Sequence, residues 1–279
     1  MFLGDRALRA CHPALLRVVA AIGDIDAAIS VASFRAGQEE WTRPVFRPAG
    51  TAAHLTDVRH PLVPDAVPNS IVLAPGRGVL VTGSNMSGKS TFLRTVGVSA
   101  VLAQTVGTCL ARTYEAPVFD VRSAIGRSDD LLTGRSYYIA EVESLMALVT
   151  ASGRPGPCLF LLDELFRGTN AVERIAAGQA VLEHLVRPAG QASPHVVLAA
   201  THDGELVELL AAQYTPCHFG DSVVDDGLVF DHRLRPGAAS TRNAIALLRL
   251  HGAPPTLVRQ AVASADRLDT ERRALLHRP

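Results

Sequence analysis

Lysine is almost missing from this chain: of its 27 basic residues only Lys89 is a lysine, the rest being arginine. The one position that keeps a compact ammonium instead of a planar guanidinium therefore calls for a chemical reason. Cysteine is scarce too. Cys11, Cys109, Cys158 and Cys217 lie far apart with no CxxC pair and no histidine at zinc-ligand spacing, which excludes a disulfide framework and a zinc module and fits a reduced, cytoplasmic compartment. An excess of one charge is absent: 27 basic residues balance 27 acidic ones, so no global basic field gathers nucleic acid or anionic lipid. No apolar run is long enough to span a bilayer. The longest weakly polar stretch, Thr95 to Ala111, is broken by Ser99, Gln104 and Thr108 and falls short of the ~20 residues required, so it reads as a buried helix and no membrane partner is expected. Met1 to Ala10 carries Asp5, Arg6 and Arg9 and does not read as a secretory signal. What is present is 279 residues, 48% hydrophobic and 19% charged, the composition of a folded chain with a sizeable core.

The spacing of apolar residues predicts an α/β organisation. Leu15 to Ala32 reads as one or two helices, and Trp41 to Gly50, with Pro44, Pro48 and Gly50, as a connector. Val79-Leu80-Val81 enters a glycine-rich loop and Ser90 to Ala103 follows as a helix. Tyr138, Val142, Leu145, Met146 and Val149 form the core-facing stripe of another helix. Leu159 to Leu162 and Val196 to Ala200 read as buried strands with a helix over Ala171 to Leu185 between them, which predicts a mainly parallel sheet covered on both faces. Val223-Val224 and Leu228-Val229-Phe230, around Asp225-Asp226-Gly227, predict a hairpin at an antiparallel edge. Two short helices, Asn243 to Leu250 and Pro255 to Leu268, close the chain. The expected division is a helical segment and connector at 1–50, an α/β domain at 51–236 and a C-terminal helix pair at 237–279.

The lone lysine sits in Gly83-Ser84-Asn85-Met86-Ser87-Gly88-Lys89-Ser90-Thr91, a match to GxxxxGK followed by Ser or Thr, between an expected strand and an expected helix. In such a loop successive amides and the helix N-terminus cradle the β- and γ-phosphates of ATP, Lys89 reaches them, and Ser90 offers its hydroxyl to Mg2+. Asp163 and Glu164 end the strand at 159–162. There Asp163 is the expected metal-side carboxylate and Glu164 the group that polarises the attacking water, the pairing of an ATPase rather than a kinase. His202 ends the next strand, within reach of the γ-phosphate or the water.

Several segments, in order, resemble the ATPase domain of the MutS family of DNA mismatch-repair proteins, a branch of the ABC-type ATPases. These are TGSNMSGKST (Thr82 to Thr91), SDDLLTGRSYYIAEV (Ser128 to Val142) in the place of the signature region, LFLLDELFRGTNAVE (Leu159 to Glu173) in that of Walker B, and ATHDGEL (Ala200 to Leu206). Arg59-His60-Pro61 and the terminal helix pair also correspond. The resemblance implies a P-loop NTPase fold of the ABC-ATPase type, with Asn85, Lys89 and Ser90 on nucleotide and metal, Asp163 beside the metal, Glu164 as general base and His202 as sensor. It further implies a homodimer in which the signature serine, Ser136, acts in trans on the partner's γ-phosphate. Gln104 and Arg167-Gly168-Thr169 are expected to support the site. Tyr137-Tyr138-Ile139 stands where the family usually has Thr-Phe-Met, and Phe166 and Asn170-Ala171 also differ, which implies a divergent branch.

Family members precede this domain with a mismatch-reading domain, a connector, levers and clamps. The resemblance therefore implies either the C-terminal piece of a larger protein, bound to DNA through those domains, or a shortened gene product holding the motor alone. The leading expectation is Mg2+-dependent ATP hydrolysis. The alternative is a nucleotide-responsive dimerisation module with little hydrolysis of its own. A transporter-type ATPase is disfavoured because Leu132-Thr133-Gly134-Arg135-Ser136 is not LSGGQ. The arginines of the C-terminal pair, Arg242, Arg249, Arg259 and Arg267, are too spread to read DNA bases, whereas Leu247, Leu248, Leu257 and Val262 suit a dimer contact.

Overall fold

A computed structural model describes residues 2–126, 137–166, 169–188, 193–224, 227–239 and 243–276. The chain runs α1 (Phe2–Ala36), β1 (Val45–Phe46), β2 (Ala53–Val58), β3 (Asn69–Leu73), β4 (Gly78–Thr82), α2 (Lys89–Val106), β5 (Thr113–Ala116), β6 (Asp120–Ala124), α3 (Tyr137–Ser152) and β7 (Cys158–Asp163). It continues with α4 (Ala171–Val186), β8 (Val196–Ala200), α5 (Gly204–Leu209), β9 (Tyr214–Val224), β10 (Gly227–Pro236), α6 (Asn243–Leu250) and α7 (Pro255–Leu276).

The main sheet has the order β10-β9-β4-β8-β7-β6, parallel throughout except for β10, which runs antiparallel at the edge. The expected mainly parallel sheet with an antiparallel edge is therefore the one observed. Its central strands β4, β7 and β8 are apolar along nearly their whole length because both faces are covered there. Leu159 and Leu161 of β7 point into one core with Val79, Val81, Val196 and Leu198, under α2. Phe160 and Leu162 point into the other with Leu80, Val197 and Ala199, under α3, α4 and α5. α2 lies so close to β7 that a Cβ on Gly97 would come within 2.5 Å of Leu161 Cδ1.

Three expectations change. The segment expected to be a connector contributes β1, a two-residue strand parallel to β5, and Thr42 bridges Cys109. Pro44 and Pro48, which cannot donate to a ladder, flank it and keep it short. β1 belongs to a second sheet, β1-β5-β2-β3, unforeseen because its strands are short and half polar. The hairpin is much longer than its apolar core, with Val223 and Val224 only at its tip. Pro216 and Gly220 within β9 hid the rest, and Asp225 and Asp226 lie outside the described residues. On α3, Met146 is 52% exposed and Leu148, not Met146, joins Leu145 in the core.

α1 is one 35-residue helix whose Leu15, Leu16, Val19, Ile22, Ile25 and Ile29 are exposed. Its last turn is tied to the nucleotide-loop helix. Arg35 donates to Thr108 Oγ1 (2.8 Å) and to the carbonyls of Val106 and Gly107 at the end of α2, and it stacks on Trp41. Gln104 of α2 exchanges two hydrogen bonds with the backbone of Phe119.

Candidate functional site: a nucleotide cleft at the strand ends

Register places the site. Val81 of β4 and Asp163 of β7 both pair with Ala200 of the intervening β8, so the three carboxyl ends stand level, their outer members about 10 Å apart at the usual strand spacing. The Thr201 amide donates to Val81 O and the Glu164 amide to Ala200 O, extending the ladder one step on each side.

From β4 the chain turns at Gly83 (φ 142°) and enters α2 after Gly88 (φ 113°). A Cβ on Gly83 would meet Ser87 Oγ at 2.9 Å and Phe219 O at 3.0 Å, so conformation and space both require glycine there. Gly88 caps α2 with no side-chain hydrogen bond, which leaves the first amides of the helix to an anion. Lys89 is 4% exposed. Its Nζ donates to Gly83 O (2.8 Å) and Ser84 O (2.9 Å) and lies 3.8 Å from Glu164 Oε1, so the loop curls around it. Ser84 Oγ donates to Asp221 Oδ2 on β9 (2.5 Å), while Met86 (φ 70°) presents its side chain to solvent.

Glu164 is 6% exposed and left-handed (φ 50°), a conformation that costs a non-glycine residue about 1–2 kcal/mol. Its Oε2 lies 3.7 Å from His202 Nδ1, and His202 Nε2 lies 3.8 Å from Asp203 Oδ1, with the His202 side chain 48% exposed. Arg174 of α4 grips Asp203 with two hydrogen bonds (2.9 and 2.7 Å), which raises the arginine's pKa, and the Asp203 amide donates to Thr201 Oγ1. The loop that presents His202 is thus anchored from the helix beside it.

Asn85, Met86, Gly88, Lys89, Ser90, Thr91 and Glu164 line one cleft of about 550 Å³, a volume suited to a nucleotide. Gly83, Ser84 and Ser87 form the same loop behind it. Asp163 does not line this cleft; it borders a neighbouring cavity of about 30 Å³ with Glu141, Ser144 and Leu165. Ser136 lies outside the described residues, as do Arg167 and Gly168. The opposite wall escaped sequence reasoning, apart from His60 in its matched segment. It is made by Val63, Pro64, Val67 and Asn69 from the second sheet's side and by Phe219 and His232 from the hairpin. His232 (φ 53°) sits where the β9–β10 register shifts, and its Nδ1 lies 3.0 Å from Ser87 O, so that nitrogen carries the proton. Asn69 fixes it by donating to His232 O and accepting from the Leu234 amide. Burial, aided by the nearby Arg94 charge, lowers the pKa of His60 below 6.5, so its imidazole is neutral at pH 7. No local sequence signal marks these residues as partners.

The residues offered for Mg2+ are a carboxylate and a hydroxyl, the oxygen donors that a hard cation takes. Asp163 Oδ1 is buried without a protein hydrogen-bond partner, and Ser90 lines the cleft. Among the described residues no group of three His, Cys, Asp or Glu side chains is placed to hold a metal.

Comparison with known proteins shows the family. The family model of MutS domain V matches residues 79–269. The chain belongs to the MutS family. It is 35% identical over 272 residues to DNA mismatch repair protein MutS 2 of Halobacterium salinarum, covering 94% of this chain and 30% of that protein. It is similarly 35% identical over 258 residues to DNA mismatch repair protein MutS of Thermus thermophilus, covering 91% and 30%. With the MutS of Natronomonas pharaonis it shares 34% over 249 residues, 86% and 28%. This MutS-family chain spans about 30% of the length of the curated relatives it matches. Among its described residues no helix is long and apolar enough to cross a membrane.

Proposed function

We propose that this chain is the Mg2+-dependent ATP-binding and ATP-hydrolysing motor of a MutS-like DNA-binding protein, acting as a homodimer in mismatch repair or a related DNA transaction. The observation that carries the reading is the convergence of Lys89, Glu164 and His202 at the level ends of three strands, beside a helix start that Gly88 caps without a side-chain hydrogen bond. On ATP binding Lys89 exchanges carbonyl partners for phosphate oxygens, and the α2 N-terminus adds its partial positive charge. Ser90 and Asp163 would hold Mg2+, which supplies positive charge against the phosphate oxygens. Glu164 orients a water and accepts its proton, since its buried carboxylate borders the cleft. His202, held by the Asp203 loop, senses the γ-phosphate.

The partner's Ser136 would complete each site in trans, and the exposed Leu248 and Leu257 of the C-terminal helix pair would join the dimer contact. DNA would be met through the parent protein's clamp and lever domains. The test is ATP hydrolysis per chain over a range of protein concentrations with Mg2+, alongside Lys89→Ala. A composite site predicts a rate per chain that climbs with concentration and a variant that no longer binds ATP. ATP binding at wild-type strength in Lys89→Ala sinks the reading. A dimer that binds ATP but stays at background turnover replaces it with the nucleotide-responsive dimerisation module.

A further inference from the structure

Glu141 lies on α3, five residues after Ser136, and has no part in the cleft. Its Oε1 accepts a 2.6 Å hydrogen bond from the backbone amide of Phe166, two residues beyond Glu164. Glu164 and Phe166 both have positive φ, 50° and 57°, so the turn between them is held in a conformation that such side chains rarely adopt unaided. Ser144, one turn along the same face of α3, borders the small cavity together with Glu141, Asp163 and Leu165. Asp163 Oδ1 and Ser144 Oγ are both buried there without a protein hydrogen-bond partner, so this junction has unused polar capacity on both sides.

We propose that Glu141 is a positioning residue that clamps the turn carrying Glu164 onto α3, and so relays the state of a chain's own nucleotide site to the start of the helix that follows Ser136. The relay rests on the functional reading above, whereas the clamp does not. A charge-assisted bond to a backbone amide is the stronger kind, and it fixes a main-chain atom, so a change in the turn must move α3 or break the bond. Because Ser136 is expected to act on the partner's nucleotide, Glu141 would tie hydrolysis in one site to completion of the other.

Amide hydrogen exchange on the full chain, with Glu141→Ala and Glu141→Gln, tests both parts. Without nucleotide, Glu141→Ala is expected to speed exchange at Phe166 by about five- to a hundredfold, the loss of one such bond, while Glu141→Gln, which keeps an acceptor oxygen but not the charge, falls between wild type and Glu141→Ala. With a non-hydrolysable ATP analogue and Mg2+, wild type should slow exchange in both the 83–91 loop and α3, and Glu141→Ala in the loop alone. Turnover per folded chain in Glu141→Ala, with the folded fraction counted by near-UV circular dichroism, should fall about tenfold or more with KM nearly unchanged, whereas loss of stability lowers only the number of folded chains. Should Glu141→Ala fail to fold, Glu141→Asp, one methylene shorter, carries the same comparison. Wild-type exchange at Phe166 in the alanine variant overturns the clamp, and equal slowing of α3 in variant and wild type overturns the relay. A loop that the analogue does not protect in wild type overturns the nucleotide reading and the relay with it, leaving the clamp to be judged on the nucleotide-free measurement.

Discussion

Replacing Glu164 by glutamine removes one negative charge while keeping the side chain's shape, and the surroundings set what that does. Glu164 Oε1 stands 3.8 Å from Lys89 Nζ and both side chains are about 5% exposed. At an effective dielectric of about 20 their attraction is about 4 kcal/mol, much of it offset by the cost of burying two ions. Lys89 keeps its two carbonyl acceptors in the variant, so the nucleotide-free protein should lose only about 1–3 kcal/mol, seen as a melting temperature a few degrees lower. Phosphate then becomes a better partner for Lys89 than before, because no carboxylate competes for it. ATP affinity should hold or rise by up to about tenfold. Hydrolysis should fall by about 10²–10⁴, or about 3–5 kcal/mol of barrier, the usual worth of a general base. The assay pairs a single-turnover hydrolysis measurement with binding of a fluorescent ATP analogue. Turnover within about threefold of wild type would refute the assignment of the base. Loss of binding in step with loss of turnover would instead make Glu164 a binding residue.

Gly78→Ala should unfold the main sheet's centre. The new Cβ would stand 2.0 Å from the ring of Tyr214, which is buried and tethered through its hydroxyl to Leu182 O, so a loss of at least about 3 kcal/mol is expected in chemical denaturation. A midpoint like that of wild type would show the ring is free to move. His60 should titrate below 6.5 by NMR, and Arg94→Ala should raise its pKa part of the way, since burial is the larger cause and the arginine the smaller. Because the folded pKa lies below the unfolded one, the unfolded chain binds more protons in that window. The contribution of His60 is thus fully present above pH 6.5 and lost as pH falls through the folded value, and His60→Asn should flatten that slope. Arg174→Ala strips Asp203 of both its charged hydrogen bonds, and should cost about 2–4 kcal/mol and lower turnover by freeing the His202 loop. Unchanged stability and turnover together would show that the Asp203 anchor does not position His202.

Much of the glycine-loop side of the cleft was legible in the chain alone, because its determinants are local. Gly83 and Gly88 supply backbone angles that other residues rarely adopt, the apolar run before them makes a strand, the run after them makes a helix, and Lys89 falls between. The acidic pair at the end of 159–162 and the histidine after 196–200 were legible for the same reason, since a buried parallel strand is a continuous apolar run that ends where its polar residues begin.

What the chain alone left open was which side each polar residue serves. Asp163 and Glu164 are neighbours, yet the left-handed turn sends Glu164 to Lys89 while Asp163 borders the cavity beneath α3. Likewise His60, Asn69, Phe219 and His232 become one wall only because a short mixed sheet and a bulged hairpin fold over the loop from opposite ends of the chain. Local sequence determines backbone conformation over a turn or a strand, and so it determined the loop, its lysine and the strand-end carboxylates. The cleft's far wall and the Glu141 tether depend on pairings between distant segments, whose energy comes from burying both faces of one sheet, and only the tertiary structure decides those.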